Sequence, residues 1–181
     1  MKLILNENFG EERLEEIHEL YEKSFPEDEK MPFRIILQKR EAGVMRIFSV
    51  EDGEEFVGFC NITLCEDALV LNYFAICADK QNRGYGTAVV LHLMEKYPDR
   101  SIVIDIEDDE AEAENTEQRI KRKAFYQRLG FSVMPFRLTI FGVPSLIMSS
   151  GRVYNFEEYK NIFAQVSSQF GVQRLVLTKE L

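Results

Sequence analysis

Apolar positions along the chain change period several times, and each change marks an element. Leu14, Ile17, His18, Leu20 and Tyr21 recur every three or four residues, which predicts a helix over 11–24. Acidic residues crowd its start, where the helix dipole favours them. Phe25-Pro26 ends it, because a residue before proline avoids the helical region. A second helix is predicted over 32–41, opened by Pro32 and closed by Gly43. The period then drops to two. Runs at 44–50 and 55–64, joined around Asp52-Gly53, read as a hairpin. Both faces of the second run are fairly apolar, which suits a central strand. Residues 68–77 (ALVLNYFAIC) are almost continuously apolar, as in a strand covered on both sides. Val89, Val90, Leu93, Met94 and Tyr97 make one arc of a helix over 84–97. A strand at 101–106 follows, then a helix from an Asn115 N-cap to Leu129, closed by Gly130. Runs at 131–141 and 144–149 read as a strand pair. A helix at 156–169 and a tail from Gly171 end the chain.

This order predicts an α/β fold with a mixed sheet. With 181 residues, the expectation is one domain over 1–150, with 151–181 as a C-terminal helix and tail packed on it. No repeat or low-complexity linker interrupts the pattern. Apolar residues are 45% and charged residues 29%, which excludes a disordered or collagen-like chain. No apolar run reaches membrane-spanning length, and the run in Met1–Glu7 is too short for a signal peptide. The net charge of −9 opposes nucleic-acid binding, which leaves a basic footprint. Cys60, Cys65 and Cys77 are odd in number and lack C-x-x-C spacing, so reduced thiols and a cytoplasmic location are expected. His18 and His92 have no partners at metal-ligand spacing, so neither a zinc site nor a Ser-His-Asp triad is expected.

The chemically informative segment is Gln81-Asn82-Arg83-Gly84-Tyr85-Gly86-Thr87. It follows an apolar strand and opens an amphipathic helix. The first N–H groups of a helix point outward unpaired, and the dipole adds partial positive charge. Glycines allow close approach to the backbone, and Arg83 adds a full charge. Together these make a cradle for a diphosphate. The segment is neither G-x-G-x-x-G, since Val89 holds the third glycine position, nor a Walker A loop. A lone G-x-G also serves as a plain tight turn. A second motif, Phe125-Tyr126-Gln127-Arg128-Leu129-Gly130-Phe131, lies some forty residues on.

Together, Q-x-x-G-x-G and F-Y-x-x-L-G-F resemble the Gcn5-related N-acetyltransferase (GNAT) family over roughly residues 44–149. The resemblance implies a twisted mixed sheet with helices on both faces, whose central parallel strands, here 68–77 and 101–107, splay apart to admit acetyl-CoA. It implies that the pantetheine arm pairs with Phe74, Ala75 and Ile76, and that the N–H near Phe74 faces the thioester oxygen. Gln81, Arg83, Gly84, Tyr85, Gly86 and Thr87 would hold the diphosphate. Tyr126 would protonate the leaving thiolate, whose pKa near 8.5 asks only for a well-placed acid. The reaction implied is direct attack by a primary amine, from a small molecule or a peptide, with no metal.

The proton acceptor is less marked. Some relatives carry a glutamate where this chain has Asn72. Glu107, at the end of the next strand, is the leading candidate; Asp105 shares its face, and Glu27 and Glu29 follow the first helix. The acidic run at 105–117, followed by Arg119, Lys121, Arg122 and Lys123, reads either as a solvated loop with local ion pairs or as a rim drawing cationic amines. Arg119 or Arg122 could also reach coenzyme phosphate. The rival readings are a non-catalytic acyl-CoA binder and a nucleotide-binding regulator using the same loop. Homodimerisation is left open: Phe156, Tyr159, Phe163 and Val166 form a stripe that serves a partner or its own domain equally well.

Overall fold

The computed structural model describes residues 2–27, 29–140 and 142–167, with the backbone of 175–180. Its elements are β1 (Leu3–Asn6), α1 (Glu11–Ser24), α2 (Phe33–Glu41), β2 (Met45–Asp52), β3 (Glu55–Leu64), β4 (Ala68–Ile76), α3 (Tyr85–Lys96), β5 (Ser101–Glu107), α4 (Thr116–Arg128), β6 (Ser132–Ile140), β7 (Val143–Ser149), α5 (Phe156–Ser167) and β8 (Leu175–Glu180). A single 3₁₀ turn at Ala78–Lys80 precedes the loop into α3. The mixed α/β class agrees with the sequence pattern. Strands β1 and β8 do not figure in it. The expected helix end at 168–169, the start of the tail at 171–174 and the expected strand end at 141 lie outside the described residues.

The chain forms two compact units. The first holds residues 1–64 and 71–97, the second 65–70 and 98–181, so β4 passes from the second into the first at Leu71.

In the first unit the strand order is β1-β2-β3-β4. Strand β1 lies antiparallel to β2 from Leu3↔Asp52 to Asn6↔Ser49. The β2–β3 hairpin turns through Gly53, whose φ of 68° glycine adopts without strain. Ile17 and Tyr21 of α1, Ile36 of α2 and Val89, Val90 and Leu93 of α3 are buried, as are Ile47, Phe48, Phe59 and Ile62 of the sheet. Each such side chain contributes about 2 kcal/mol when fully buried. Phe25 takes the extended backbone its proline neighbour demands and ends α1. The segment behind it is pinned by tyrosines. Tyr21 Oη donates to the Met31 carbonyl at 2.7 Å, and the Met31 N–H donates to Tyr73 Oη at 3.0 Å.

In the second unit the order is β4-β5-β7-β6-β8. Strands β4 and β5 are parallel, but their ladder runs only from Ala68↔Ser101 to Val70↔Val103. The remaining pairs are antiparallel. One cluster joins Val70, Val103, Phe136, Leu138 and Ile147 to Tyr159 and Ile162 of α5, with Phe156, Phe163 and Val166 packed against it. The apolar stripe of α5 therefore covers its own unit.

Candidate active site

The approach to the loop begins on β4. Its first four residues are buried, and burial falls to half over Asn72–Ile76. Gly58 on β3 lies hard against β4. A methyl carbon built there would stand 2.3 Å from the Ala75 carbonyl oxygen and 3.1 Å from Ile76 Cα. This is a close approach of two backbones, and only glycine leaves room for it. The Cys77 N–H donates to Val57 at 2.9 Å just beyond it. Phe74, Ala75 and Ile76 lie at this half-buried end of the strand.

The loop that follows is exposed from Gln81 to Gly84. Asn82 has a φ of 61° and Gly84 one of 88°, both left-handed, and alternation of that kind turns successive N–H groups to one side. Gly84 is the N-cap of α3, and the first helical bond runs from the Ala88 N–H to Gly84. The N–H groups of Tyr85, Gly86 and Thr87 precede it and have no acceptor within the helix. A side chain at Gly84 would meet nothing within 4 Å, so the space above the loop is open. Arg83 is exposed and makes no ion pair among the described residues. The donor set suits a diphosphate.

The side chains of two expected contact residues, Gln81 and Tyr85, hold the loop in place. The Gln81 side chain donates to the Ile76 carbonyl at 3.1 Å, tying the loop to β4. Tyr85 is buried, and its hydroxyl donates to Asp52 Oδ2 at 2.7 Å. The other oxygen of Asp52 accepts from the Lys2 N–H at 2.6 Å. These donors hold the Asp52 carboxyl below the ordinary aspartate range, the backbone bond contributing most, and the bond to Asp52 raises the Tyr85 phenol. Asp52 was legible in the sequence only as half of a turn. Gly58 had a signal of its own, since glycine inside a strand flags a bulge or a close approach.

In the second unit, Tyr126 lies near the end of α4 and is 7% exposed. The Gly130 N–H donates to Gln127 and the Phe131 N–H to Tyr126, with Gly130 left-handed at 87°. This is a Schellman cap, and its usual apolar contact is present: the Tyr126 and Phe131 rings are 5.2 Å apart. Half the spacing of F-Y-x-x-L-G-F is thus helix-ending chemistry. The cap places the Tyr126 ring.

Glu107, expected as the proton acceptor, is only 6% exposed and closed in by donors. Asn115 Nδ2 donates to Oε1 at 2.8 Å, Arg119 Nε lies 3.3 Å from the same oxygen, and Arg122 bonds Oε2. Asn115 keeps its N-cap position, but its side chain links Glu107 to Arg119 rather than capping the helix. Arg119 and Arg122, considered for coenzyme phosphate, are turned onto this carboxylate. Asp109 pairs with Lys123, and Asp108 and Glu110 with Arg137, so much of the acidic run is neutralised locally. Asn72, in the first unit, donates to Asn61 and Thr63 at 3.0 Å each. Asp105 differs from all of these. It is exposed, no cation pairs with it among the described residues, and the surrounding protein raises its carboxyl through desolvation.

The cysteines are free. Burial pushes Cys60 up to about 12 and Cys65 up to about 11, and desolvation also raises Cys77. All three are protonated at neutral pH, which disfavours them as nucleophiles. Among the described residues, no group of three or more His, Cys, Asp or Glu side chains could hold a metal ion, and no helix is long and apolar enough to cross a membrane.

A family model described as the acetyltransferase (GNAT) family matches residues 14–131. Among solved structures, one described as a putative GNAT-family acetyltransferase from Bacteroides thetaiotaomicron superposes with a TM-score of 0.75 at 21% identity, covering 96% of this chain and 100% of that one. A Bacillus subtilis acetyltransferase in complex with CoA gives 0.61 at 16% identity over 84% and 99% of the two chains. Spermidine N-acetyltransferase from Vibrio cholerae, in complex with CoA and spermine, gives 0.62 at 14% identity over 88% and 99%. No curated protein matches the sequence. The family match spans well over half the chain, and the fold agrees with it: the protein belongs to the GNAT acetyltransferase family.

Proposed function

We propose that the protein transfers an acetyl group from acetyl-CoA to a primary amine by direct attack. The observation that carries this reading is the loop at 82–87: left-handed Asn82 and Gly84, three N–H groups without a partner in the helix, and an exposed Arg83 with no carboxylate partner among the described residues. A diphosphate satisfies all of these donors at once. The half-buried end of β4 supplies backbone groups for the pantetheine arm, and the Phe74 N–H is the donor for the thioester oxygen. As the amine nitrogen bonds to the carbonyl carbon, the carbon–sulfur bond breaks, and Tyr126 gives its proton to sulfur. The protonated cysteines favour this route over an acyl-enzyme. The acceptor belongs to the amines as a class; the Vibrio cholerae relative, a spermidine acetyltransferase, makes a polyamine a natural first trial.

Calorimetry with acetyl-CoA tests the grip, and thiol release with amines tests the transfer. Turnover that falls in Tyr126→Phe while acetyl-CoA binding persists is the expected result. Tight binding of ATP or NAD with none of acetyl-CoA refutes the reading. Acetyl-CoA binding without turnover on any amine leaves a non-catalytic binder.

A further inference from the structure

Strand β5 has a neighbour on each edge, β4 on one side and β7 on the other. Such a strand is normally covered along its length. Ile102, Val103, Ile104, Ile106 and Glu107 are indeed buried, and Asp105 alone among them is exposed. Residues two apart in a strand share a face, so Val103 and Glu107 flank Asp105 on its own side. An accessible carboxylate thus stands between two covered neighbours on one face of an inner strand. Ile147 of β7 is its cross-strand partner, and Tyr159 of α5, in the same cluster as Val103 and Ile147, is close enough to feel its charge. Both are buried. Asp105 also lies just past the last pair of the β4–β5 ladder, Val70↔Val103.

Asp105 and Glu107 differ in what surrounds them. Glu107, two residues on, receives Arg119, Arg122 and Asn115. Asp105 receives no cation among the described residues. A carboxylate partly stripped of water without a counter-ion is unfavourable unless a ligand cation offsets it. The groups facing it are Tyr159, whose phenol is held neutral by burial and by Asp105 itself, and Glu107 with its own cations.

We infer that Asp105 receives the ammonium group of the acceptor and takes the proton that the nitrogen must lose, acting as the catalytic base. This rests on the acetyl-transfer reading above. The protons balance: the ammonium loses two on becoming an amide, the first to Asp105, which frees the lone pair that bonds to carbon, and the second, shed by the adduct, to the phenolate left when Tyr126 has protonated the departing sulfur. A carboxyl raised above the ordinary aspartate value matches this task better than an exposed one does. The acceptor is then a primary amine that reaches Asp105 as its cation.

The test compares wild type, Asp105→Asn, Asp105→Glu and Glu107→Gln for kcat/KM across the whole pH range in which each stays folded, from the ordinary aspartate range upward. The probes are spermidine, kanamycin and a peptide with an N-terminal alanine, and acetyl-CoA affinity is measured alongside by calorimetry. With any amine that wild type acetylates, Asp105→Asn is expected to lose roughly a hundredfold in kcat/KM. Its profile loses the acidic limb, and acetyl-CoA affinity stays within about twofold of wild type. Asp105→Glu recovers part of the rate, and Glu107→Gln keeps the acidic limb at whatever rate it shows. If Asp105→Asn keeps a third or more of the wild-type value with its limb intact, or if Glu107→Gln is the variant that loses it, Asp105 is not the base and the transfer reading survives. If wild type binds acetyl-CoA but turns over none of the three amines, both fall together.

Discussion

Two loops lead into helices in this molecule, and they use charge in opposite ways. Residues 81–87 hold few charges, and the important one, Arg83, has no carboxylate partner among the described residues. Residues 107–115 hold six carboxylates, and the first four of them, Glu107 to Glu110, are matched by Arg119, Arg122, Lys123 and Arg137. The first loop keeps N–H groups that its own helix leaves unpaired, whereas the second is knotted to its own helix and strand. Charge density alone therefore does not separate the two loops. The proposed binding role of the first rests on donors and a charge still unsatisfied once the chain has folded.

Substitutions can break this contrast, and the largest effect is expected in the knot. Glu107→Ala leaves two guanidinium groups without their anion, and urea unfolding should show a loss of about 3 kcal/mol. If stability barely changes, the knot is ornamental. Arg83→Glu should do the reverse, leaving unfolding unchanged while acetyl-CoA binds about 30-fold more weakly or worse, as expected for loss of a charged hydrogen bond. Equal affinity in that variant would mean that the diphosphate lies elsewhere. Tyr85→Phe removes the bond to Asp52, and a rise of about fivefold in the KM for acetyl-CoA, or about 1 kcal/mol, is expected with kcat nearly constant.

The smallest expected effect concerns Asp105. Its folded carboxyl pKa lies above the unfolded value, so the native state binds more protons, and stability falls as pH rises from the ordinary aspartate value through the folded one. Asp105→Asn lacks that dependence. Its melting temperature should exceed that of wild type at neutral pH, and the gap should close below the ordinary aspartate pKa. A variant less stable than wild type at pH 7 would show that Asp105 has a stabilising partner.

Much of the fold was legible because local chemistry and tertiary structure agree. Pro26, Gly43, Gly53 and Gly130 end or turn elements where the pattern placed them, and Gly84 stands at the start of α3, as the glycine spacing indicated. Strands β1 and β8 were not legible. Four residues, Leu3–Asn6, carry too little alternation to read, and both strands are defined by what they pair with, β2 and β6. The site divided in the same way. The cradle is made of backbone, whose conformation glycine reveals, but the fates of Glu107 and Asp105 depend on residues from other elements. Two acidic residues on one face of one strand look equivalent until Arg119 and Arg122 are seen to choose between them.

The contact at Gly58 has a consequence for how this protein can change. Its hydrogen is the only substituent the Ala75 carbonyl tolerates at that point. In a saturation library selected for acetyl transfer, codon 58 should be a nearly blank column, while Gly10, with open space around it, accepts many replacements. A position with no side chain would then be as intolerant as the catalytic machinery, because the backbone of β4 already fills the space where a side chain would begin.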